Sequence, residues 1–288
     1  MSDQLHLFDE HRDDTQRPIK LGHSSIEYKN ASSILTQTSG FMSAYDYSLN
    51  PYSGCAFGCT YCYAAFFSRD SNKRNNWGKW VEAKENALSL LMKKRRKSLN
   101  DKTIYLSSVT DPYQPIERKL ELTRDILKEL ATYHPNVRLV VQTRSALVKR
   151  DIDLYKEFEH LQINMTVTTD NEEIRKVFEP YCPSNKDRLK AIQEIKKEGI
   201  RTCITMTPLL PIENAIEFGK ILKSCEADHY IIQPFHQDRG KFVAGTREEA
   251  RALLEKFNWS DREYNRVKSV IKEYIPTLSE GQEGFAPI

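Results

Sequence analysis

Short apolar runs alternate with amphipathic segments along most of the chain, and the alternation begins near Tyr45. Each apolar run has the length of a buried strand, and the segments that follow carry apolar residues at helical spacing. The segment 121–133 is an example, because Leu122, Ile126 and Leu130 fall on one helical face. We predict strands at 45–50, 103–109, 137–143, 163–168, 201–206 and 229–233. We predict helices at 86–96, 121–133, 150–159, 184–199 and 213–224.

The chain order of these elements gives six strand–helix units in series. Such alternation predicts an α/β fold with parallel strands joined by right-handed crossovers. The count of units fits either an open doubly wound sheet or a barrel-like sheet. In both architectures the functional residues gather at the C-terminal ends of the strands.

The two ends of the chain have different patterns from the middle. Residues 1–40 show little periodicity, so we interpret them as an N-terminal extension that is partly disordered at its tip. After the sixth strand the pattern changes to two helices, each preceded by a capping box, Thr246 with Glu249 and Ser260 with Glu263. We therefore predict a core at 41–240 and a C-terminal helical appendage at 241–288.

Hydropathy gives no indication of membrane association. Hydrophobic residues make up 39% of the 288 positions, which supplies a sizeable core, but no apolar run approaches a membrane span. A spanning helix needs ~20 such residues. The start of the chain, 1–20, is polar and lacks the apolar segment of an export signal. We expect a cytoplasmic protein that does not contact a membrane.

The net charge of +3 is smaller than that of most dedicated nucleic-acid binders. The one basic run, 93–97, follows a helical segment. We interpret it as a solvated helix end, where cations also suit the helix dipole, with a phosphate-contacting patch as the alternative.

Three of the six cysteines lie close together, at Cys55, Cys59 and Cys62, directly after the first predicted strand. In a chain without an export signal, clustered cysteines favour metal binding over disulfides. Three thiolates suit an iron–sulfur cluster, and Gly54 and Gly58 allow the backbone to fold tightly around it. Zinc is the competing metal, but it normally takes four ligands and no fourth one is near in sequence, although a distant His could supply it.

The other three cysteines, Cys182, Cys203 and Cys225, are scattered along the chain. Cys203 lies in a predicted strand and Cys225 near a helix end, so we interpret both as packing residues. A second metal cluster built from these three residues is not expected.

The spacing C-x3-C-x2-C, with Tyr61 at the aromatic position before the last cysteine, resembles the signature of the radical S-adenosylmethionine (SAM) superfamily. The resemblance implies a partial (β/α)6 TIM-like barrel and a [4Fe–4S] cluster on Cys55, Cys59 and Cys62. It also implies that the open iron binds the amine and carboxylate of SAM. Reduction then releases a 5′-deoxyadenosyl radical, with the electron supplied by a reductant such as flavodoxin or ferredoxin.

Further stretches resemble the spore photoproduct lyase-like group, often labelled DNA repair photolyase. They are 50–55, 109–117, 178–189 and the closing 280–285. One departure concerns the hydrogen-donating Cys of the lyase itself. The corresponding stretch here, 107–109, is Ser-Ser-Val and has no thiol. The resemblance therefore does not extend to the group that would complete thymine-dimer reversal.

The resemblance also implies SAM contacts at the ends of strands two and four. Thr110 and Asp111 match the position that contacts the methionine amine, although the usual Gly-Gly-Glu is absent and a turn-shaping role is the alternative. Thr168 and Arg188 match positions that bind the carboxylate and ribose. For Arg188 the alternative is an ion pair with Glu179.

Aromatic residues follow the cysteine loop and have two interpretations: they stack on nucleic-acid bases or they shield the cluster. They are Tyr63, Phe66, Phe67, Trp77 and Trp80. We accordingly hold three hypotheses. The first is a radical enzyme acting on nucleic acid or a nucleotide, similar to a repair lyase. The second is a radical enzyme acting on a peptide or small metabolite, and the third is a non-catalytic iron–sulfur or zinc binding module.

Overall fold

The computed structural model describes residues 17–235 and 247–288, and its centre is an eight-stranded sheet. Its strands are β3 Leu35–Gln37, β4 Tyr47–Leu49, β7 Thr103–Leu106, β8 Arg138–Thr143, β9 His160–Thr166, β10 Arg201–Met206, β11 His229–Ile232 and β12 Ser279–Glu280. The strand order is β12-β11-β10-β9-β8-β7-β4-β3. Strands β4 and β7 to β12 run parallel, and β3 is antiparallel to β4 at the edge.

A second sheet, of four strands in the order β1-β2-β6-β5, adjoins the first. Its strands are β1 Lys20–Leu21, β2 Ser24–Lys29, β5 Tyr52–Gly54 and β6 Trp80–Lys84. The sequence analysis did not predict this sheet. In β2 only Ser24 and Ile26 are buried, so the segment has too few apolar positions to show a strand period.

The helices connect successive strands and cover the sheet. They are α1 Ser71–Asn75, α2 Ala87–Met92, α3 Glu117–Leu120, α4 Leu122–Tyr133, α5 Ile152–Tyr155, α6 Glu172–Phe178, α7 Asn185–Lys197, α8 Ala215–Ser224, α9 Glu248–Lys256 and α10 Asp261–Tyr274. None of these helices is both long and apolar enough to cross a membrane.

The predicted α/β fold is confirmed, and all six predicted strands are present. Two predicted helices differ from the observed ones. The helix expected at 86–96 ends at Met92, because the basic run beyond it forms turns. The helix expected at 150–159 is the short α5, preceded by a 3-10 turn at Ala146–Asp151. At Ser260 the predicted cap is confirmed, since its hydroxyl accepts a hydrogen bond from the Glu263 amide. The other predicted cap, at Thr246, lies outside the described residues.

One face of the large sheet carries a cluster of buried side chains from several strands. Tyr105, Val140, Cys203 and Ile231 pack there around Phe285 from the end of the chain. Among the described strands, β3 and β12 are the two edges of this sheet and do not pair with each other, as in a partial barrel. The cysteine loop lies toward the C-terminal ends of the strands, where parallel sheets place their functional residues.

Candidate functional site

The loop that carries Cys55, Cys59 and Cys62 begins directly after β5 and ends in a 3-10 turn at Tyr63–Phe67. Two backbone hydrogen bonds fold it, from Gly58 N to Cys55 O at 3.3 Å and from Cys62 N to Cys59 O at 3.2 Å. Gly58 has a φ of 60°, a left-handed conformation that favours glycine. The loop is therefore compact, and Cys55 and Cys59 are buried within it.

Gly58 also touches a second chain segment at Gly78. A Cβ built on Gly78 would lie 2.7 Å from the Gly58 Cα, and Gly78 itself has a φ of 97°. Two glycines thus allow the segment before β6 to lie directly against the cysteine loop. The small sheet is in this way attached to the loop by backbone contact.

Replacing Gly78 with alanine is expected to lower the free energy of unfolding by about 2–4 kcal/mol, because left-handed strain adds to a backbone clash. Gly199→Ala is the matched control, since Gly199 also has a positive φ, of 79°, but an added Cβ would meet nothing within 4 Å. For the control we expect the free energy of unfolding to fall by only about 1–2 kcal/mol, from the left-handed backbone strain alone. Urea unfolding checks both values, and equal losses would contradict the close packing of Gly78.

Cys59 has two polar neighbours that come from distant parts of the chain. Its Sγ lies 3.6 Å from the Sγ of Cys182 and accepts a hydrogen bond from Arg144 Nη1 at 2.9 Å. The hydrogen bond from Cys182 lowers the pKa of Cys59, and the positive charge of Arg144 lowers it further against the effect of burial. Burial raises the pKa of Cys62 to about 11. Of the three cysteines, Cys59 is thus the one held closest to the thiolate form.

The donor set of the loop fits an iron–sulfur cluster. It offers three thiols on one tight loop, in a largely apolar group that includes Phe57, Trp77 and Phe178. In the positions described, no three His, Cys, Asp or Glu side chains already converge as metal ligands. The loop therefore fits a cluster through the chemistry of its donor atoms and the shape of its backbone. Cys182 brings a fourth thiol close to Cys59, and the spacing of the sequence did not reveal it.

Thr110 and Asp111 lie at the turn after β7, beside the cysteine loop. Thr110 Oγ1 donates to Gly54 O at 2.6 Å. The buried Asp111 carboxylate accepts hydrogen bonds from Thr143 Oγ1 at 2.7 Å and from the amides of Tyr113 and Arg144, both at 2.9 Å. Burial raises the pKa of Asp111 despite these bonds. These contacts match the turn-shaping role that the sequence analysis left open.

Gln114 fixes the same turn to the cysteine loop. Its Oε1 accepts from the Ala56 amide at 2.9 Å, and its Nε2 donates to Thr110 Oγ1 at 3.2 Å. The sequence analysis did not select Gln114 as a site residue. Its side chain is fully buried, so the loop and the end of β7 are held at a fixed separation.

A buried polar network brings together three of the predicted site residues, Tyr61, Thr168 and Arg188, through the carboxylate of Glu179. Thr168 Oγ1 donates to Glu179 Oε1 at 2.9 Å, and the Tyr61 hydroxyl donates to the same oxygen. Arg188 pairs with the other carboxylate oxygen. Burial would raise the pKa of Glu179, but the charges of Arg188 and Arg144 outweigh it and hold the pKa at about 2.

All three donor groups of the Arg188 guanidinium have partners in this network. Nε donates to Pro183 O at 3.0 Å, Nη1 to Thr166 O at 3.1 Å and Nη2 to Glu179. The side chain is completely buried. The structure thus places Arg188 in the alternative role, as the ion-pair partner of Glu179.

Arg144, which sequence reasoning missed, connects the network to the cysteine loop. Its Nη1 lies 2.7 Å from the Tyr61 hydroxyl, 3.3 Å from Glu179 Oε1 and 2.9 Å from Cys59 Sγ. Arg144 directly follows β8. The rule that selected Thr168, a polar residue at the C-terminal end of a strand, could also have found Arg144.

The aromatic residues after the loop divide into two groups. Trp77 and Trp80 are buried and contact each other edge to face, which fits the shielding interpretation. Tyr63, Phe66 and Phe67 are exposed, with Phe67 64% exposed. A cavity of about 410 Å³ lies beside Phe67, Trp77 and Trp80 and is open to solvent.

The comparisons with known proteins agree with this geometry. The Radical SAM superfamily model matches residues 49–225, which is more than half of the chain. The chain belongs to the radical SAM superfamily and is an enzyme. An uncharacterized protein of Methanocaldococcus jannaschii is 38% identical over 205 residues, which cover 66% of this chain and 76% of that protein.

More distant relatives carry functional names. A protein of Pseudomonas phage M6 named radical SAM Nalpha-GlyT isomerase is 26% identical over 162 residues, which are 56% of this chain and 32% of that protein. A spore photoproduct lyase mutant has a similar fold, with a TM-score of 0.60, 13% identity and coverage of 88% of this chain and 81% of the lyase. Streptococcus suis SuiB bound to its precursor peptide SuiA has a TM-score of 0.53 and 10% identity, with 81% of this chain and 48% of SuiB covered.

Proposed function

We propose that this enzyme holds a [4Fe–4S] cluster on Cys55, Cys59 and Cys62, cleaves SAM reductively, and acts on a nucleic acid or nucleotide. The observation that carries the proposal is the buried three-cysteine loop at the C-terminal ends of the parallel strands, with the Arg144 guanidinium 2.9 Å from Cys59 Sγ. When bound, the cluster supplies the one-electron reduction that breaks a C–S bond of SAM and releases the 5′-deoxyadenosyl radical.

The protein's own residues would bind and orient the cofactor. Arg144 is suited to the carboxylate of SAM, because a guanidinium binds a carboxylate through two hydrogen bonds and this one lies beside a proposed cluster ligand. The Asp111 carboxylate accepts a hydrogen bond from the Arg144 amide and so fixes the start of that side chain. Tyr61 and Thr168 keep Glu179 in place behind it. The predicted contacts of Thr110 and Asp111 with the methionine amine stay part of this proposal.

The substrate class is supported by one protein of similar fold. The lyase structures include a complex with a dinucleoside spore photoproduct. The SuiB complex with a peptide supports the alternative, a peptide substrate. Because the lyase has the higher TM-score and is covered over 81% of its length against 48% for SuiB, we favour the nucleic-acid class.

The test uses protein purified without oxygen and reconstituted with iron and sulfide. Dithionite and SAM are added, and 5′-deoxyadenosine and methionine are quantified by mass spectrometry with single-stranded DNA, duplex DNA, RNA or a peptide mixture present. We expect product that requires the reductant and that increases with one nucleic acid in a salt-dependent manner. One bound zinc per chain with no sulfide would contradict the cluster. A stimulation by peptide alone would favour the second hypothesis.

We expect Cys182→Ala to retain the cluster and to lower its midpoint potential. As a cluster ligand Cys59 would be a thiolate, which can only accept, so the Cys182 thiol 3.6 Å away would be the hydrogen-bond donor. Such bonds to cluster sulfurs make reduction easier. A bond of ~0.5–1.5 kcal/mol corresponds to about 20–60 mV for a one-electron couple. An electron paramagnetic resonance titration measures the shift. Cys203→Ala is the control, because Cys203 is also buried but lies in a separate side-chain cluster, and we expect no shift of the midpoint potential there. Loss of iron in Cys182→Ala would contradict the prediction and would indicate that Cys182 is a cluster ligand.

A further inference from the structure

One cavity lies beside the cysteine loop, and none of the described residues that line it is proposed to hold the cluster or SAM. Its volume is about 410 Å³, and its lining includes Gly54 and Val109. Gly54 directly precedes Cys55, and Val109 directly precedes Thr110. Sites for small ligands commonly measure about 300–1,000 Å³. The cavity is therefore large enough for a ligand, and it adjoins the proposed cofactor site without being part of it.

Part of the cavity wall is aromatic. Phe67, Trp77 and Trp80 line it, and the two tryptophan rings contact each other edge to face at a centroid separation of 5.8 Å. The Lys73 ammonium lies 4.7 Å from the centre of the Trp80 ring. Phe67 is 64% exposed, whereas both tryptophans are buried. Phe67 is thus the lining ring that is most accessible to a planar group such as a nucleobase.

The two tryptophans of the cavity wall differ in their hydrogen bonds. Trp80 Nε1 donates to Lys73 O at 2.8 Å. Trp77 Nε1 is buried and has no acceptor among residues 17–235 and 247–288. Buried donors in folded proteins are nearly always paired. A ligand in the cavity would supply the missing acceptor, and a nucleotide carries suitable oxygens on both its base and its phosphate.

The cavity offers one cation that has no described partner. Lys29 and Lys73 line it, but both are paired with Glu82, which also lines it. The Asp70 carboxylate accepts hydrogen bonds from two backbone amides of α1. Arg69 is exposed, and no described residue forms a hydrogen bond or ion pair with its side chain. A single free guanidinium suits the single charge of a phosphodiester better than the several charges of a nucleoside triphosphate.

The proposed function leaves open whether the substrate is a free nucleotide or a nucleic acid, and this inference rests on that function. We infer that the cavity binds one unpaired nucleotide of a nucleic-acid strand, next to the nucleotide that reacts. Its base stacks on Phe67, its phosphodiester pairs with Arg69, and an oxygen of the nucleotide accepts the Trp77 hydrogen bond. A base inside a duplex already stacks on its neighbours and has no free face for Phe67, so the strand must be unpaired at this position.

The test measures binding of end-labelled single strands and duplexes of DNA and of RNA to the reconstituted protein by fluorescence anisotropy. We expect Phe67→Ala and Arg69→Gln each to weaken binding of the preferred single strand about tenfold. Phe66→Ala and Arg96→Gln are the controls and should bind as the wild type does. Phe66 is 44% exposed and Arg96 is exposed in the basic run, but neither lines the cavity. Unchanged binding in both cavity variants, or weaker binding only in Arg96→Gln, would overturn the inference.

Two finer measurements test the individual contacts. Arg69→Gln should lower the slope of the logarithm of affinity against the logarithm of salt concentration by about one, as expected for one lost phosphate contact. Trp77→Phe keeps an aromatic ring but removes the N–H donor, so we expect about fivefold weaker binding of the single strand. Trp259→Phe is the control, because Trp259 lies outside the cavity lining. Wild-type affinity in Trp77→Phe would contradict an acceptor supplied by the ligand.

The same variants separate this inference from the proposed function. Where a nucleic acid stimulates 5′-deoxyadenosine formation, Phe67→Ala should raise the strand concentration that gives half-maximal stimulation and leave the maximal rate unchanged, because the neighbouring nucleotide contributes only to binding. Stimulation that is identical in the wild type and the variant would overturn the inference alone. If the wild type forms no 5′-deoxyadenosine with dithionite, the proposed function fails, and the anisotropy measurement still decides what the cavity binds. Binding of duplexes only, or of a peptide mixture in a Phe67-dependent manner, would overturn the inference.

Discussion

Cys59→Ala is expected to lose the proposed four-iron cluster and to form no more 5′-deoxyadenosine than wild-type enzyme without reductant. With two thiolates left on the loop, the cluster has no complete set of protein ligands. We expect iron to fall from about four per chain to less than about one, since partial clusters do not persist. Iron and sulfide analysis, the visible absorption spectrum and mass spectrometry of the products measure the change.

Cys225→Ala is the matched control, because Cys225 is also buried but lies at the end of α8, outside the loop. We expect it to keep both iron and activity and to lose only about 1–2 kcal/mol of stability from a small cavity. Iron retention in Cys59→Ala would contradict the proposed ligand set. It would indicate that the neighbouring thiol of Cys182 replaces Cys59 as a ligand.

Glu179→Ala is expected to lower the free energy of unfolding by about 3–5 kcal/mol, because it leaves buried positive charge without a partner. Arg188 is completely buried and its ion pair with Glu179 would be lost. Arg144 Nη1 would lose its ion pair with Glu179 Oε1 at 3.3 Å. The hydroxyls of Tyr61 and Thr168 would lose the same oxygen as their hydrogen-bond acceptor. Urea unfolding at neutral pH measures the effect.

Glu173→Ala provides the control, because Glu173 lies on α6, the helix that Glu179 directly follows. Glu173 pairs with Lys176 at 2.7 Å, but the two side chains are 81% and 57% exposed. An exposed ion pair contributes little to stability, so we expect the free energy of unfolding to change by about 0.5 kcal/mol or less. Similar losses of unfolding free energy in the two variants would contradict a stabilising buried ion cluster around Glu179.

The same carboxylate gives a prediction for acid stability. The folded-state pKa of Glu179, about 2, lies below its ordinary value of 4.5. The stabilisation is therefore fully present above the ordinary value and is lost as the pH falls toward the folded-state value. Between about pH 5 and pH 2 we expect the stability gap between wild type and Glu179→Gln to narrow by on the order of 3 kcal/mol. A gap that stays constant over this range would contradict the lowered pKa.

Much of the large sheet could be predicted from the sequence, because burial imposes a local pattern that a single strand or helix already displays. All six predicted strands are present, most with bounds within a few residues. The short polar strands of the small sheet could not be predicted, since only two of the eight side chains in β1 and β2 are buried. Their position depends on pairing with β6, which follows about fifty residues later in the chain.

The sequence by itself determined the three-cysteine loop and its place after a strand, because ligand spacing on a short loop is a local property. Only the tertiary structure decided which distant side chains meet that loop. Arg144 and Cys182 reach Cys59 across 85 and 123 residues, and Glu179 takes Arg188 as its partner. Parallel strands bring their C-terminal ends to one edge, so sequence can indicate which residues gather there. The pairing among them depends on register, sheet curvature and the packing of side chains from separate elements, and no local pattern records these.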